Sequence, residues 1–132
     1  MAIISRMLLI VFAGLFGALG VGGAALAAHG GDNRMIAIAA ALSLVHAPAL
    51  LALAALPADL IRLRLPAGLA LILGTLLFSG DLAMRSFTGE RLFPDAAPAG
   101  GMILIAGWLL VVVGALLAAV LGRRGKQDLP IA

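Results

Sequence analysis

The sequence predicts an all-α integral membrane protein whose four transmembrane helices form an antiparallel bundle. Hydrophobic residues make up 64% of the 132-residue chain and charged residues only 11%, whereas a soluble domain carries about 25% charged residues. The apolar residues also occur in four runs, each of about the 20 residues that a bilayer-spanning helix needs. Short segments with basic and turn-forming residues separate the runs, as is typical of loops between membrane spans.

The four runs define the predicted domain organisation. The first run resembles a secretory signal, but it exceeds the usual apolar stretch of about 7–15 residues, and three further runs follow it. We therefore expect it to be retained as a transmembrane helix. The predicted spans cover about 7–28, 35–56, 66–87 and 100–121, within a single membrane domain 1–122 that precedes a cytoplasmic tail 123–132.

Turn-forming residues mark the ends of the spans. The segment 29–33 predicts a tight turn in which Gly30 or Gly31 ends the first helix and Asp32 or Asn33 caps the second. Pro66 suits the first turn of the third helix. Pro48 lies inside the second span and is expected to kink it, because proline cannot donate to the Leu44 carbonyl.

The distribution of Lys and Arg predicts the orientation of the chain. One side of the predicted bundle carries six of them, namely Arg6, Arg62, Arg64, Arg123, Arg124 and Lys126. The other side carries three, namely Arg34, Arg85 and Arg91. The positive-inside rule therefore predicts cytoplasmic termini in a bacterial inner membrane.

Five polar residues in or beside the spans form the candidate intramembrane site, because polar groups are costly in lipid and often functional there. They are His29, His46, Ser79, Asp81 and Arg85. Asp81 and Arg85 are four residues apart, so they are expected to form an ion pair on one helix face. The alternative is an anchor for a partner subunit, a lipid headgroup or an ion.

The two histidines have both structural and functional interpretations. His29 is favoured at a helix C-terminus by the helix dipole, or it binds a ligand or a proton. His46 lies near mid-span, where it forms a hydrogen bond between helices or part of a substrate, quinone or proton site. The expected depth of Ser79 makes it a plausible neighbour of His46, whereas His29 lies too far out for the two histidines to share a haem.

Small residues predict close helix packing. The repeats Ala13-x-x-x-Gly17 and Ala18-x-x-x-Gly22 let helix backbones approach each other, within this chain or between copies. A Trp in mid-span is unusual, and we expect it to fill a gap or to face a partner. The candidate packing residues are Gly14, Gly17, Ala18, Gly22, Gly107 and Trp108.

The sequence also argues against several kinds of chemistry. It contains no cysteine, which excludes disulfides, thiolate catalysis and iron–sulfur clusters. It has no phosphate-binding loop, dinucleotide fingerprint, zinc-protease or nucleophile-elbow motif. Basic stripes with interleaved aromatics are lacking, so we do not expect nucleic acid as a partner. We expect no catalytic residue, cofactor or metal ligand.

Five blocks of sequence together resemble one known family. They are GGAALAAHG (22–30), VHAPALL (45–51), GTLLFSGDL (74–82), FTG (87–89) and PAGGMILIAGW (98–108). The chain is similar in these blocks, which touch all four spans, to the small four-span bacterial inner-membrane family called domain of unknown function 423. The resemblance implies four transmembrane helices and no established activity. Asp81, Arg85 and Pro48 depart from the residues expected of that family.

These observations favour a non-enzymatic inner-membrane protein that acts as an accessory or assembly subunit of a larger complex. Its expected partners are membrane lipid and either other membrane subunits or further copies of itself. One alternative is a small homo-oligomeric transporter or channel that uses His46, Ser79 and Asp81. Another is a lipid- or quinone-binding module around His46, Phe78 and Trp108.

Overall fold

Four long helices account for nearly all of the computed structural model of the chain. The structure describes residues 3–30, 33–57 and 59–127, with side chains up to residue 122. The helices are α1 (Ile3–His29), α2 (Arg34–Ala55), α3 (Arg64–Thr88) and α4 (Ala96–Gln127). Each is long and apolar enough to cross a membrane, and the described residues contain no β-strand. The all-α transmembrane fold is thereby confirmed.

The helices extend beyond the predicted spans. They begin one to four residues earlier than expected, and only α2 ends earlier, at Ala55. The helix α4 continues to Gln127, into the segment predicted as a tail. The rest of that tail, 128–132, lies outside the described residues.

At two of the helix ends, a turn-forming residue caps the helix. Asn33 caps α2, since its side chain accepts a hydrogen bond from the backbone N–H of Ile36. Gly89 ends α3 in the left-handed region, with φ of 78°, where glycine avoids the cost of a Cβ. Gly30 has no positive φ, and the predicted roles of Gly31 and Asp32 lie outside the described residues.

Consecutive helices pack side by side and antiparallel, in the order α1, α2, α3, α4. The helix α1 meets α3 only briefly, and α4 packs along α3 without backbone approach to α1 or α2. Leu9 and Gly68 mark a close approach of α1 and α3: a Cβ on Gly68 would lie 2.5 Å from a Leu9 methyl. The four helices therefore form an open row, with α1 and α4 at its edges.

The row of helices has two ends, a hairpin end and a terminal end. The hairpin end carries the α1–α2 connection and the α3–α4 loop, residues 89–95. The terminal end carries the start of α1 and the α2–α3 loop, residues 56–63. At the terminal end, the backbone N–H of Arg62 donates to the carbonyl of Gly114 at 3.3 Å. That contact ties the α2–α3 loop to α4.

A compact core lies in the middle and terminal parts of the row. Leu9, Leu50 and Leu71, from α1, α2 and α3, have no exposed surface, and Leu104 of α4 joins the same cluster. Toward the hairpin end, the described residues between α1 and α3 no longer fill the space. A cavity lies in that space.

Candidate functional site within the membrane

Asp81 is fully buried, although it is a carboxylate inside an apolar helix. Its Oδ2 lies 2.6 Å from an Arg85 nitrogen, and its Oδ1 accepts a hydrogen bond of 2.9 Å from the backbone N–H of Leu92. The ion pair predicted from the four-residue spacing is present. The contact with Leu92 could not be expected from spacing, because it depends on the path of the α3–α4 loop.

The hydrogen bond between Leu92 and Asp81 holds the α3–α4 loop against the side of α3. A charge near the bilayer centre costs roughly 2.5–3.5 kcal/mol on insertion scales. Here the opposite charge and the amide donor offset that cost for Asp81. The Nε atom of Arg85 is buried without a hydrogen-bond partner among the described residues. The pair is therefore locally neutral while one guanidinium donor stays unused.

A second contact joins α2 and α3 at the hairpin end. The side-chain amide of Asn33 donates to Ser86 Oγ at 2.5 Å, so the start of α2 is held against the last turn of α3. The same side chain caps α2 through its oxygen. Asn33 thus uses both its donor and its acceptor, which sequence reasoning foresaw only for the cap.

His46 is buried in α2 and its two ring nitrogens have different partners. Nδ1 lies 2.7 Å from the Leu42 carbonyl, and Nε2 lies 3.3 Å from Trp108 Nε1. A carbonyl only accepts, so Nδ1 carries the proton and Nε2 accepts from the indole N–H. Both nitrogens are satisfied, and the contact reaches across from α4 to α2. Ser79, the neighbour expected for His46, bonds elsewhere.

Three hydroxyl groups of α2 and α3 donate to backbone carbonyls. Ser43 and Ser79 both donate to the Ala39 carbonyl, at 2.9 Å and 3.1 Å. The Ser79 bond crosses from α3 to α2. Thr75 donates to Leu71, its own i−4 carbonyl, at 2.7 Å. Each hydroxyl has thereby used its one donor, while its oxygen retains acceptor capacity.

A cavity of about 300 Å³ opens between α1 and α3 above these hydroxyls. Its walls are mostly apolar and come from α1, α2 and α3, with Gly22 and Gly23 on one side and Gly80 and Ala83 on the other. Phe16 and Thr75, which are almost fully buried, also belong to the lining. Ser43 and Ser79 complete its small polar part.

His29 stands apart from the other candidate residues. It is exposed as the last residue of α1, at the helix C-terminus, as the sequence predicted. The structure thus brings together Asp81 with Arg85 and His46 with Trp108, and it places Ser79 on the cavity. Among the described residues, no three His, Cys, Asp or Glu side chains are grouped as a metal site would require.

Some of the candidate packing residues lie at contacts between helices, and the others are exposed. Gly107 of α4 packs against Leu71 of α3, and a Cβ added to Gly107 would lie 2.9 Å from a Leu71 methyl group. Gly17 of α1 faces Ala47 of α2. Gly14 and Gly22 have no atom within 4 Å of an added Cβ, and Ala18 between them is exposed. Trp108 is 43% exposed despite its bond to His46.

Sequence reasoning missed the buried role of Arg64. The sequence predicts it only as one of the basic residues that set the orientation, whereas it is 2% exposed and donates to the Leu56 carbonyl. A signal was available: the last turn of α2 has no basic residue of its own. Arg64 supplies the cation that the C-terminal end of a helix favours.

The chain is similar to several membrane proteins of bacteria. A UPF0382 membrane protein of Staphylococcus saprophyticus, SSP2132, is 30% identical over 80% of this chain and 93% of its own length. The UPF0382 inner membrane protein YgdD of Escherichia coli K12 is 46% identical over 46 residues. That alignment spans 35% of each protein, so this chain matches about a third of the E. coli relative. No solved structure matches the chain.

A longer part of the chain matches a family of proteins. Residues 10–101 match the family described as "Protein of unknown function (DUF423)". That range contains α2 and α3 whole, most of α1 and the start of α4. The relatives are named membrane proteins, and all four helices suit a membrane span. The chain is therefore a multi-pass membrane protein that belongs to the DUF423 family.

Proposed function

We propose that this protein is a non-enzymatic accessory subunit that packs through α1 against another protein of the same membrane. The observation that carries the proposal is the open row of helices. On α1, the face formed by Leu9, Ala13, Phe16 and Gly20 is buried, and the opposite face has no neighbour among the described residues.

The chemistry of the open face favours a helix as its partner. Gly14, Ala18 and Gly22 recur every four residues along it, and nothing occupies the space beside the two glycines. In lipid the hydrophobic effect does not drive helices together, so association depends on close backbone approach at small residues. An open small-residue face on an edge helix offers that approach.

Side-chain truncation is not possible at glycine, so the test fills the face instead. Gly14→Leu and Ala18→Leu add bulk where the structure has room. Ala115→Leu is the matched control, because Ala115 is exposed on the other edge helix, α4. We expect a second, identifiable membrane protein to co-purify in mild detergent with wild type and with Ala115→Leu, and to be lost from the α1 variants.

Two differently tagged copies in one cell separate this role from self-association. If the tags co-purify and no other protein does, the protein is a homo-oligomer and the accessory role is refuted. Recovery of a bare monomer that is unaffected by any variant would refute it as well. Circular dichroism of each variant establishes that the helices are intact.

A further inference from the structure

We propose that the cavity between α1, α2 and α3 binds a neutral, chain-like apolar ligand that carries a hydrogen-bond-donating hydroxyl group. The cavity adjoins the exposed stripe of α1 at Gly22, but the proposal does not depend on an accessory role, because its test measures the binding of a small ligand. It combines the volume of the cavity, its apolar walls and the chemistry of the three hydroxyl groups.

The size of the cavity suits a small ligand. Its volume is about 300 Å³. Ligand pockets begin at about this size, with walls that are mostly apolar and a few polar groups that fix orientation.

The chain itself leaves the cavity open. Gly22, Gly23, Gly80 and Ala83 keep its sides thin, and α4 lies beyond α3, away from this space. Because the lining belongs to helices that cross the membrane, hydrocarbon rather than water is the surrounding solvent. A slender apolar molecule is the occupant that matches such walls.

The polar groups of the cavity determine which functional group the ligand must carry. Ser43, Thr75 and Ser79 line the cavity and donate to backbone carbonyls. Their remaining capacity is that of acceptors. A ligand with a hydroxyl group at this position supplies the donor, whereas an ester, an ether or a plain acyl chain does not.

Decanol and decyl methyl ether form a matched pair of ligands for the test, since only decanol has a donor. Native mass spectrometry counts molecules bound to the full-length protein in an amine-oxide detergent, whose headgroup has no donor of its own. We expect one decanol per protein and about three- to ten-fold weaker binding of the ether, the range of one net hydrogen bond. Equal occupancy by the two ligands would overturn the proposal.

Two substitutions locate the binding. Ala83→Leu narrows the cavity and is expected to abolish decanol binding, whereas Ala106→Leu, on the exposed face of α4, keeps it. Ser79→Ala keeps the space but removes one acceptor, so it should bring decanol and ether toward equal binding. If Ala83→Leu binds decanol as wild type does, while its helical content is unchanged, the cavity is not the site.

Discussion

At the scale of single residues, each buried polar residue among those described bonds to another side chain or to the backbone. Sequence spacing predicted one such match, Asp81 with Arg85, because four residues on a helix always return to the same face. It could not predict that Leu92 bonds Asp81. That contact depends on the path of the α3–α4 loop between Thr88 and Leu92, and no local pattern encodes that path.

The hydrogen bond between His46 and Trp108 yields a prediction about coupling. His46→Leu removes the acceptor of the indole N–H, and Trp108→Phe removes the donor. Because lipid offers neither residue a substitute partner, the double variant should lose less stability than the two single variants together. We expect a coupling of about 1 kcal/mol, within the range of hydrogen bonds between membrane helices.

Unfolding in mixed micelles, followed by circular dichroism, gives the free energies for this cycle. The chain has one Trp and no Tyr, so the emission of Trp108 also reports on the contact directly in the His46 variant. Ser43→Ala is the control, because Ser43 lies one turn away on α2 and its bond stays within that helix. Free energies that add within about 0.3 kcal/mol would show that the two side chains do not interact.

At the scale of helices, glycine and alanine determine how closely neighbours approach. A Cβ on Gly74 would lie 2.9 Å from the Gly100 carbonyl oxygen, and one on Gly100 would lie 2.6 Å from the backbone nitrogen of Phe78. Here α3 and α4 meet backbone to backbone. The sequence predicted close packing from the many small residues. It did not predict which faces would meet, because apolar residues surround most of each helix and no single apolar stripe marks the contact face.

Adjacent glycines at the start of α4 allow a matched test of this crossing. Gly100→Ala forces a methyl group onto the backbone of α3, which cannot move as a side chain can. We expect it to destabilise the protein by about 1–3 kcal/mol, as overpacking does. Gly101→Ala meets only the ring of Phe78, at 3.6 Å, and should change stability by less than about 0.5 kcal/mol.

Thermal unfolding of the two variants in the same detergent measures the difference. The two substitutions add the same atoms to neighbouring positions of one helix, so their effects on helix propensity are matched. Equal stability of the two variants would show that the α3–α4 crossing is looser than the structure has it.

At the scale of the whole molecule, composition was sufficient to predict the number, order and approximate limits of the helices. Each span must be about 20 residues long and apolar to cross the bilayer. The open row was not predictable, because whether α4 closes onto α1 depends on contacts at every crossing. The cavity follows from the same geometry, since α1 and α3 meet at Leu9 and Gly68 and leave space toward the hairpin end.

The buried position of Arg64 also changes the basis of the predicted orientation. With Arg64 bonded to the end of α2, and Arg85 paired with Asp81, neither is a freely solvated loop charge. The remaining basic residues are Arg6, Arg62, Arg123, Arg124 and Lys126 toward the terminal end, against Arg34 and Arg91 toward the hairpin end. Five against two still favours a cytoplasmic terminal end.

Labelling of single cysteines tests this orientation, because the natural chain has none. Leu60→Cys places a thiol in the exposed α2–α3 loop, and Glu90→Cys places one in the exposed α3–α4 loop. With a maleimide that cannot cross membranes, we expect spheroplasts to label Glu90→Cys at once and Leu60→Cys only after permeabilisation. The reverse pattern would place the termini outside, and it would mean that the positive charges do not set the topology. Labelling of both loops from one side would be incompatible with α3 as a membrane-spanning helix, since residues 60 and 90 flank that helix alone.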